Sequence, residues 1–231
     1  IRQYDGNNKF EFEKVAVELT RVLKDNGIIA WIIGDAVKRG TETGTSLKQA
    51  LFFKDYCGLR LHQTLIFEKN TTTYPARPDG LRYSSVFEHI YVFSKGKPKS
   101  INLIADKKNR WAGTTNFGQK TDRDKRDTLI PVKKFKPIPE YSPRTNIWRY
   151  VTGNGYSTED KFAHQHPAIF PEALARDLII TYTNEKQVVY DCFAGSGTTL
   201  KMAKRLNRNY IGSEIVKEYF ELINKRLRSL S

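Results

Sequence analysis

Asp191-Cys192-Phe193-Ala194-Gly195-Ser196-Gly197-Thr198-Thr199 stands where a short apolar run, Gln187 to Cys192, gives way to a helical pattern from Gly197 to Leu206. A strand that passes through glycines into a helix makes a ligand-binding junction. Gly195 and Gly197 permit positive φ and close approach of a ligand to the main chain, and the first helical turn leaves N–H groups free to donate. Two anion-binding loops share this geometry, and neither fits. A phosphate loop carries Lys after its last glycine, where Thr198 and Thr199 stand with no lysine before Lys201. The dinucleotide fingerprint needs a third glycine, at the place held by Leu200. Glu214 closes the next predicted strand, Tyr210 to Glu214, about twenty residues beyond the first glycine, where an acid receives ribose hydroxyls in nucleoside-binding α/β units. Its alternative role is a helix N-terminal acid for the segment Val216 to Leu227, whose predicted apolar face is Tyr219, Phe220, Ile223 and Leu227.

The same alternation runs upstream. Phe10 to Lys24 places apolar residues at helical spacing up to Asn26-Gly27, and Gly27 to Asp35 is a continuous apolar run that predicts a central strand buried on both faces. Asp35, at its carboxyl end, is either a ligand contact or a cap for the next element. Ser46 to Tyr56 predicts a helix, Leu59 to Lys69 and Val86 to Ser94 strands, and Pro171 to Thr181 another helix. Asn70 to Pro78, polar and proline-interrupted, predicts a surface loop.

Between Lys95 and Arg149 the periodicity fades and basic residues crowd in: Lys107, Lys108, Arg110, Lys120, Arg123, Lys125, Arg126, Lys133, Lys134, Lys136 and Arg144. Trp111, Phe117, Phe135, Tyr141 and Trp148 are interleaved with them, the mixture expected where a protein meets phosphates and unstacked bases. A solvated insertion pinned to the core by its aromatics is the alternative. The whole chain of 231 residues carries 39 Lys and Arg against 25 Asp and Glu, a net charge of +14 that makes a polyanion the natural partner. The two cysteines, Cys57 and Cys192, lie far apart with no histidine cluster near them, so neither a metal site nor a disulfide framework is expected. No apolar run reaches the roughly eighteen residues of a membrane span and no signal peptide opens the chain, which leads us to expect a soluble, cytoplasmic protein.

The sequence FAGSGTT (Phe193 to Thr199) followed by YIGSEI (Tyr210 to Ile215) resembles the S-adenosylmethionine motifs of the DNA amino methyltransferases that modify adenine N6 or cytosine N4. His166-Pro167-Ala168-Ile169-Phe170-Pro171-Glu172 is similar to that family's segment over the methionine end of the cofactor, and FEHIYVFSKGKP (Phe87 to Pro98) to the strand before its recognition region. The motif order, with the cofactor half last, resembles the permuted β class. The resemblance implies an α/β fold with a doubly wound, Rossmann-like, mostly parallel sheet, incomplete at the N-terminus and carrying an inserted basic recognition lobe. It divides the chain into a catalytic half (1–94), a target-recognition region (95–149) and a cofactor half (150–231).

The resemblance also assigns residues. Asp191, Phe193, Ala194, Gly195, Ser196, Gly197 and Thr198 would hold S-adenosylmethionine, with Glu214 on the ribose and Pro167 and Phe170 as the closing wall. Lys107, Lys108, Arg110, Lys120, Arg123, Lys125 and Arg126 would contact double-stranded DNA; a homodimer and a cognate restriction nuclease are left open as further partners. The family's Asp/Ser-Pro-Pro-Tyr loop does not occur in this sequence, whose Ile1-Arg2-Gln3-Tyr4-Asp5 matches the segment just after it. No catalytic residue is therefore expected within these residues, and Cys192 is expected to pack beside the turn rather than react. A non-catalytic DNA-binding protein that keeps the fold is the alternative function.

Overall fold

The computed structural model describes residues 10–70, 82–115, 121–131, 136–153 and 155–230. Ile1 to Asp5, most of the predicted Asn70 to Pro78 loop, and Phe117, Lys120, Lys133, Lys134 and Phe135 lie outside the described residues. In chain order the elements are α1 (Phe12–Val22), β1 (Ile28–Ile33), the short β2 (Val37–Lys38) and β3 (Thr41–Glu42), and α2 (Thr45–Leu51), extended by a π-helical turn (Phe52–Tyr56). Next come β4 (Arg60–Lys69), β5 (Phe87–Ser94), β6 (Lys107–Lys108), β7 (Thr121–Arg123), β8 (Leu129–Pro131), β9 (Tyr141–Ser142) and β10 (Ile147–Tyr150). A 3-10 turn (Lys161–Gln165), α3 (Glu172–Tyr182), β11 (Val188–Asp191), α4 (Thr198–Arg205), β12 (Asn209–Gly212) and α5 (Lys217–Arg228) complete the order. The chain divides into two compact units, one of residues 1–102 and 146–231, the other of residues 103–145.

The larger unit holds a four-stranded sheet in the order β1-β5-β4-β10. Side chains of β5 alternate: Ile90 and Val92 enter one core with Leu65, Phe67, Leu174 and Leu178, while Tyr91 and Phe93 enter another with Ala16, Phe53 and Leu59. Helices thus cover both faces, α3 on one and α1 with α2 on the other. Two expectations need correction. The sheet is mixed rather than mostly parallel, because β5 runs antiparallel to both β1 and β4, and only β10 joins β4 in parallel. β1 is an edge strand rather than a central one among the described residues, pairing there with β5 alone beside a cleft of about 1810 Å³, although its side chains do pack on both faces, Ile28 and Ile32 in one core and Ile29, Trp31 and Ile33 in the other. A run of apolar residues reports that a strand is apolar, but not how many neighbours it pairs with.

β10 falls inside the stretch expected to be an irregular basic insertion. Ile147-Trp148-Arg149-Tyr150 alternates outward and inward, and Trp148, 5% exposed, packs in the core with Tyr150 rather than facing a nucleic acid. α3 joins the two halves of this unit. Leu174, Leu178 and Tyr182 meet the four-stranded sheet, and Ala175 and Ile179 meet Met202 and Ala203 of α4, which in turn covers the parallel pair β11-β12. The predicted face of α5 is rotated: Leu222, Ile223 and Arg226 are buried and Phe220 is exposed.

The smaller unit is built from two antiparallel pairs, β6 with β9 and β7 with β8. Its ends meet: the Arg144 N–H donates to the Ile104 carbonyl at 3.0 Å, and the Arg144 guanidinium pairs with Asp106. The β7-β8 hairpin turns on Asp124, whose Oδ1 accepts the N–H groups of Arg126 at 2.8 Å and Thr128 at 3.0 Å.

Candidate functional site

β11 ends at Asp191, whose Oδ1 accepts the Phe193 N–H at 3.0 Å while its carbonyl accepts the Ser213 N–H at 2.9 Å. The Ala194 N–H returns a bond to the Ser213 carbonyl at 3.0 Å, so the segments leaving β11 and β12 stay clasped beyond the last strand pair. Gly195 (φ +50°) and Gly197 (φ +78°) then both take left-handed backbone. A Cβ on Gly195 would lie 3.1 Å from His166 Nε2, and one on Gly197 would lie 3.0 Å from Ile223 Cγ1. Both space and torsion therefore select glycine.

Glu214 clasps this turn. Its Oε2 accepts the Gly195 N–H at 2.8 Å and its Oε1 accepts the Val216 N–H at 2.9 Å, just ahead of α5. The helix-start role weighed in the sequence is therefore visible, and two backbone donors leave part of the carboxylate's acceptor capacity free. His166 covers Gly195 from the other side, its ring edge-on to Tyr219 at 4.4 Å and its Nδ1 accepting the Ala168 N–H at 3.1 Å. Burial holds the His166 pKa below its usual value, against the opposing pull of the Ala168 carbonyl and the Glu214 charge, so the ring is neutral at pH 7. Phe193 projects beyond the turn, 52% exposed, with edge contacts to Phe10 at 5.5 Å and Trp31 at 6.3 Å.

The cleft beside β1 brings together Asp191, Phe193, Ala194, Gly195, Ser196, Thr198 and Phe170. Pro167 is exposed, and Pro167, Gly197 and Glu214 are not part of that lining. Phe170 also packs against the cores on both sides of α3. The hydroxyls of Ser196 and Thr198 do not point outward. They lie 3.2 and 3.1 Å from Arg226 Nη1, which also donates to the Ser196 carbonyl at 2.6 Å.

Arg226 belongs to a buried charge cluster that sequence reasoning missed. Its Nε donates to Asp160 Oδ2 at 2.8 Å and its Nη2 to Glu172 Oε1 at 2.7 Å. Lys201 Nζ donates to the same two oxygens at 2.8 and 2.7 Å, and both cationic side chains are 0% exposed. Burial pushes the Asp160 pKa up, but the hydrogen bonds and charges of Lys201 and Arg226 outweigh it and hold the carboxyl below its usual range. A signal was present: Arg226 follows Leu222 and Ile223 by four and three residues, which puts it on their inward face.

With the site in view, the sequence matches a family model described as DNA methylase, of the N6/N4 methyltransferase class, over residues 3–225. The chain belongs to the N6/N4 DNA methylase family. The methylase is 46% identical over 229 residues to the orphan methyltransferase M.BamHII of Bacillus amyloliquefaciens, covering 99% of this chain and 84% of that protein. Among solved structures it is similar to the cytosine-N4-specific PvuII DNA methyltransferase, with a TM-score of 0.67 at 19% identity over 97% of this chain and 74% of that one. The M1.HpyAVI-SAM complex is similar at a TM-score of 0.58 and 21% identity, covering 96% of this chain and 85% of that one. At these identities the structural likeness is one of fold, an α/β fold shared with methyltransferases.

Elsewhere in the methylase, Asp35 caps: its Oδ1 accepts the Ser46 N–H at 3.1 Å and the Thr43 hydroxyl at 3.2 Å, and Ser46 Oγ donates to Oδ2, at the start of α2. Burial pushes the Cys192 thiol up to about 12, helped by the Asp191 charge, so no thiolate is available near neutral pH. In the smaller unit Lys107, Lys108, Arg110, Arg123, Lys125 and Arg126 are all exposed; Arg110 lies over the Trp111 ring at 5.1 Å and Arg123 pairs with Asp127 at 2.8 Å. Among the described residues, no helix is long and apolar enough to cross a membrane.

Proposed function

We propose that this methylase transfers a methyl group from S-adenosylmethionine to the exocyclic amino group of adenine (N6) or cytosine (N4) in duplex DNA. The observation that carries the reading is the clasp between Glu214 and the Gly195 N–H at the carboxyl end of the parallel pair β11-β12. Open α/β sheets bind nucleosides at that end of their strands, which is the doubly wound, Rossmann-like use of the fold. The residues present suit the cofactor. Two left-handed glycines let the main chain turn where His166 and Ile223 leave no room for a side chain, the spare lone pairs of Glu214 can accept ribose hydroxyls, and Phe193 offers an apolar face to a base ring.

When bound, S-adenosylmethionine supplies an electrophilic methyl group on a sulfonium sulfur. The chain's own part is positioning: Glu214 fixes the sugar, the turn's main chain and Asp191 meet the methionine and ribose side, and Phe170 closes the wall. Cys192, held as a thiol, takes no covalent role. The exposed cations Lys107, Lys108, Arg110, Lys125 and Arg126 bind phosphates, and Trp111 stands among them as a stacking surface. M.BamHII, similar over nearly the whole chain, is named as a methyltransferase, and the M1.HpyAVI structure is titled as a complex with SAM; both support the reading.

The test is calorimetric titration of S-adenosylmethionine and S-adenosylhomocysteine into residues 1–231 and into a chain that also carries the Asp/Ser-Pro-Pro-Tyr loop ahead of Ile1, with transfer of a labelled methyl group to duplex DNA by the latter and analysis of the modified base. Saturable binding with label on N6-methyladenine or N4-methylcytosine is expected. Binding of DNA without either cofactor or transfer would favour the non-catalytic DNA-binding alternative.

A further inference from the structure

Ser196 sits between the two left-handed glycines of the turn, and Arg226 Nη1 holds its carbonyl inward at 2.6 Å. The other edge of the same guanidinium grips Thr158 Oγ1 at 3.1 Å, Asp160 and Glu172. Asp160 immediately precedes the 3-10 turn that delivers His166 to Gly195, and Glu172 opens α3 just past Phe170. Lys201, from α4, holds the same two carboxylates. Two cations thus clasp both ends of the 160–172 segment, and the guanidinium joins that segment to the glycine turn.

We propose that Arg226 and Lys201 are positioning residues for the methylase: they fix the Ser196 carbonyl, and with it the direction of the turn's N–H groups, and dock residues 163–170 against Gly195. The inference rests on the reading of the turn as the cofactor site. The Ser196–Gly197 peptide rotates about the ψ of Ser196 and the φ of Gly197, a glycine that opposes the motion with little steric cost, and rotation would swing the Gly197 N–H away from the Ala194 carbonyl it now meets at 2.6 Å. A donor anchored on another helix opposes that rotation. Apolar side chains of equal volume could replace a buried ion cluster as packing, but could not supply a donor to a carbonyl.

The experiment compares the full chain with Arg226→Lys, with the milder Asp160→Asn, and with Leu65→Val as a core change remote from the turn. For each, thermal midpoint, S-adenosylmethionine affinity and amide hydrogen exchange without cofactor are measured. Both cluster variants should lose cofactor affinity by about tenfold or more, the effect of removing a charged hydrogen bond. Exchange should quicken at residues 194–198 and 163–170 together while β4 and β5 stay protected. Leu65→Val should lower the midpoint without either local effect. Should Arg226→Lys fail to fold, Asp160→Asn carries the test. Wild-type affinity and exchange in the cluster variants, or acceleration spread evenly over the chain, would overturn the proposal. Absence of cofactor binding by the unaltered protein would instead overturn the cofactor reading, and the exchange pattern would still decide the positioning role.

Discussion

Glu214 Oε2 accepts the Gly195 N–H at 2.8 Å across 19 residues of sequence, and the same carboxylate accepts Val216 N–H through its other oxygen. Glu214→Gln must face one of these donors with an NH₂ group. Loss of a charged hydrogen bond is worth about 1.5–3 kcal/mol, so S-adenosylmethionine affinity should fall on the order of 10- to 100-fold in calorimetric titration. Unchanged affinity would leave Glu214 as a helix-start residue alone.

Gly195→Ala combines two costs. At φ +50° an alanine gives up about 1–2 kcal/mol of backbone energy, and its methyl group enters the space 3.1 Å from His166 Nε2. Urea melts should show that loss, and cofactor affinity should drop with it. Adding His166→Ala restores the room but not the torsion, so the double variant should recover only part of the stability. Full recovery would mean that the backbone conformation costs nothing.

Acid stability has two separate windows. The Asp160 carboxyl is held below its usual pKa in the folded chain, so its contribution is complete above about pH 3.9, the ordinary carboxyl value, and is lost as pH falls through the folded value. His166 is also lowered, which for a histidine means the folded chain favours the neutral ring: its contribution is complete above about pH 6.5 and declines as pH falls from there. Thermal melts from pH 3 to 8 should lose the lower step in Asp160→Asn and the upper step in His166→Gln. A profile identical to wild type in either variant would remove that residue from the account.

What the sequence disclosed, and what it hid, follows from periodicity. Each described α-helix of the larger unit was legible because apolar residues recur at three and four, unlike the 3-10 turn at Lys161–Gln165, and the glycine turn because its two glycines separate a strand pattern from a helix pattern. β10 was missed because four residues carry too short an alternation, and Trp148, between Arg144 and Arg149 at the end of a basic stretch, read as surface. The face of α5 was placed through Tyr219, Phe220, Ile223 and Leu227, because a periodicity of apolar residues gives no weight to a buried Arg226. Edge pairing of β1 leaves no mark in its own residues: Ile28 to Ile33 is equally apolar whether one neighbour or two lie beside it.

DNA affinity should fall steeply with salt. Each phosphate contact contributes about 0.9 to the slope of log affinity against log salt. Lys125→Ala with Arg126→Ala should therefore flatten the slope by nearly two if both side chains meet phosphates, measured by fluorescence anisotropy on duplex DNA. A slope equal to wild type would place the phosphate contacts outside the β7-β8 hairpin.

The chain enters and leaves the smaller unit through one doorway, where Arg144 bonds to Ile104. An insertion whose ends already touch adds little closure entropy to its host, whatever its length. Residues 103–145 therefore form an exchangeable cassette. Substitutions there can change that unit's own surface while the turn, its ion clasp and the four-stranded sheet keep their contacts, all of which lie among residues 1–102 and 146–231.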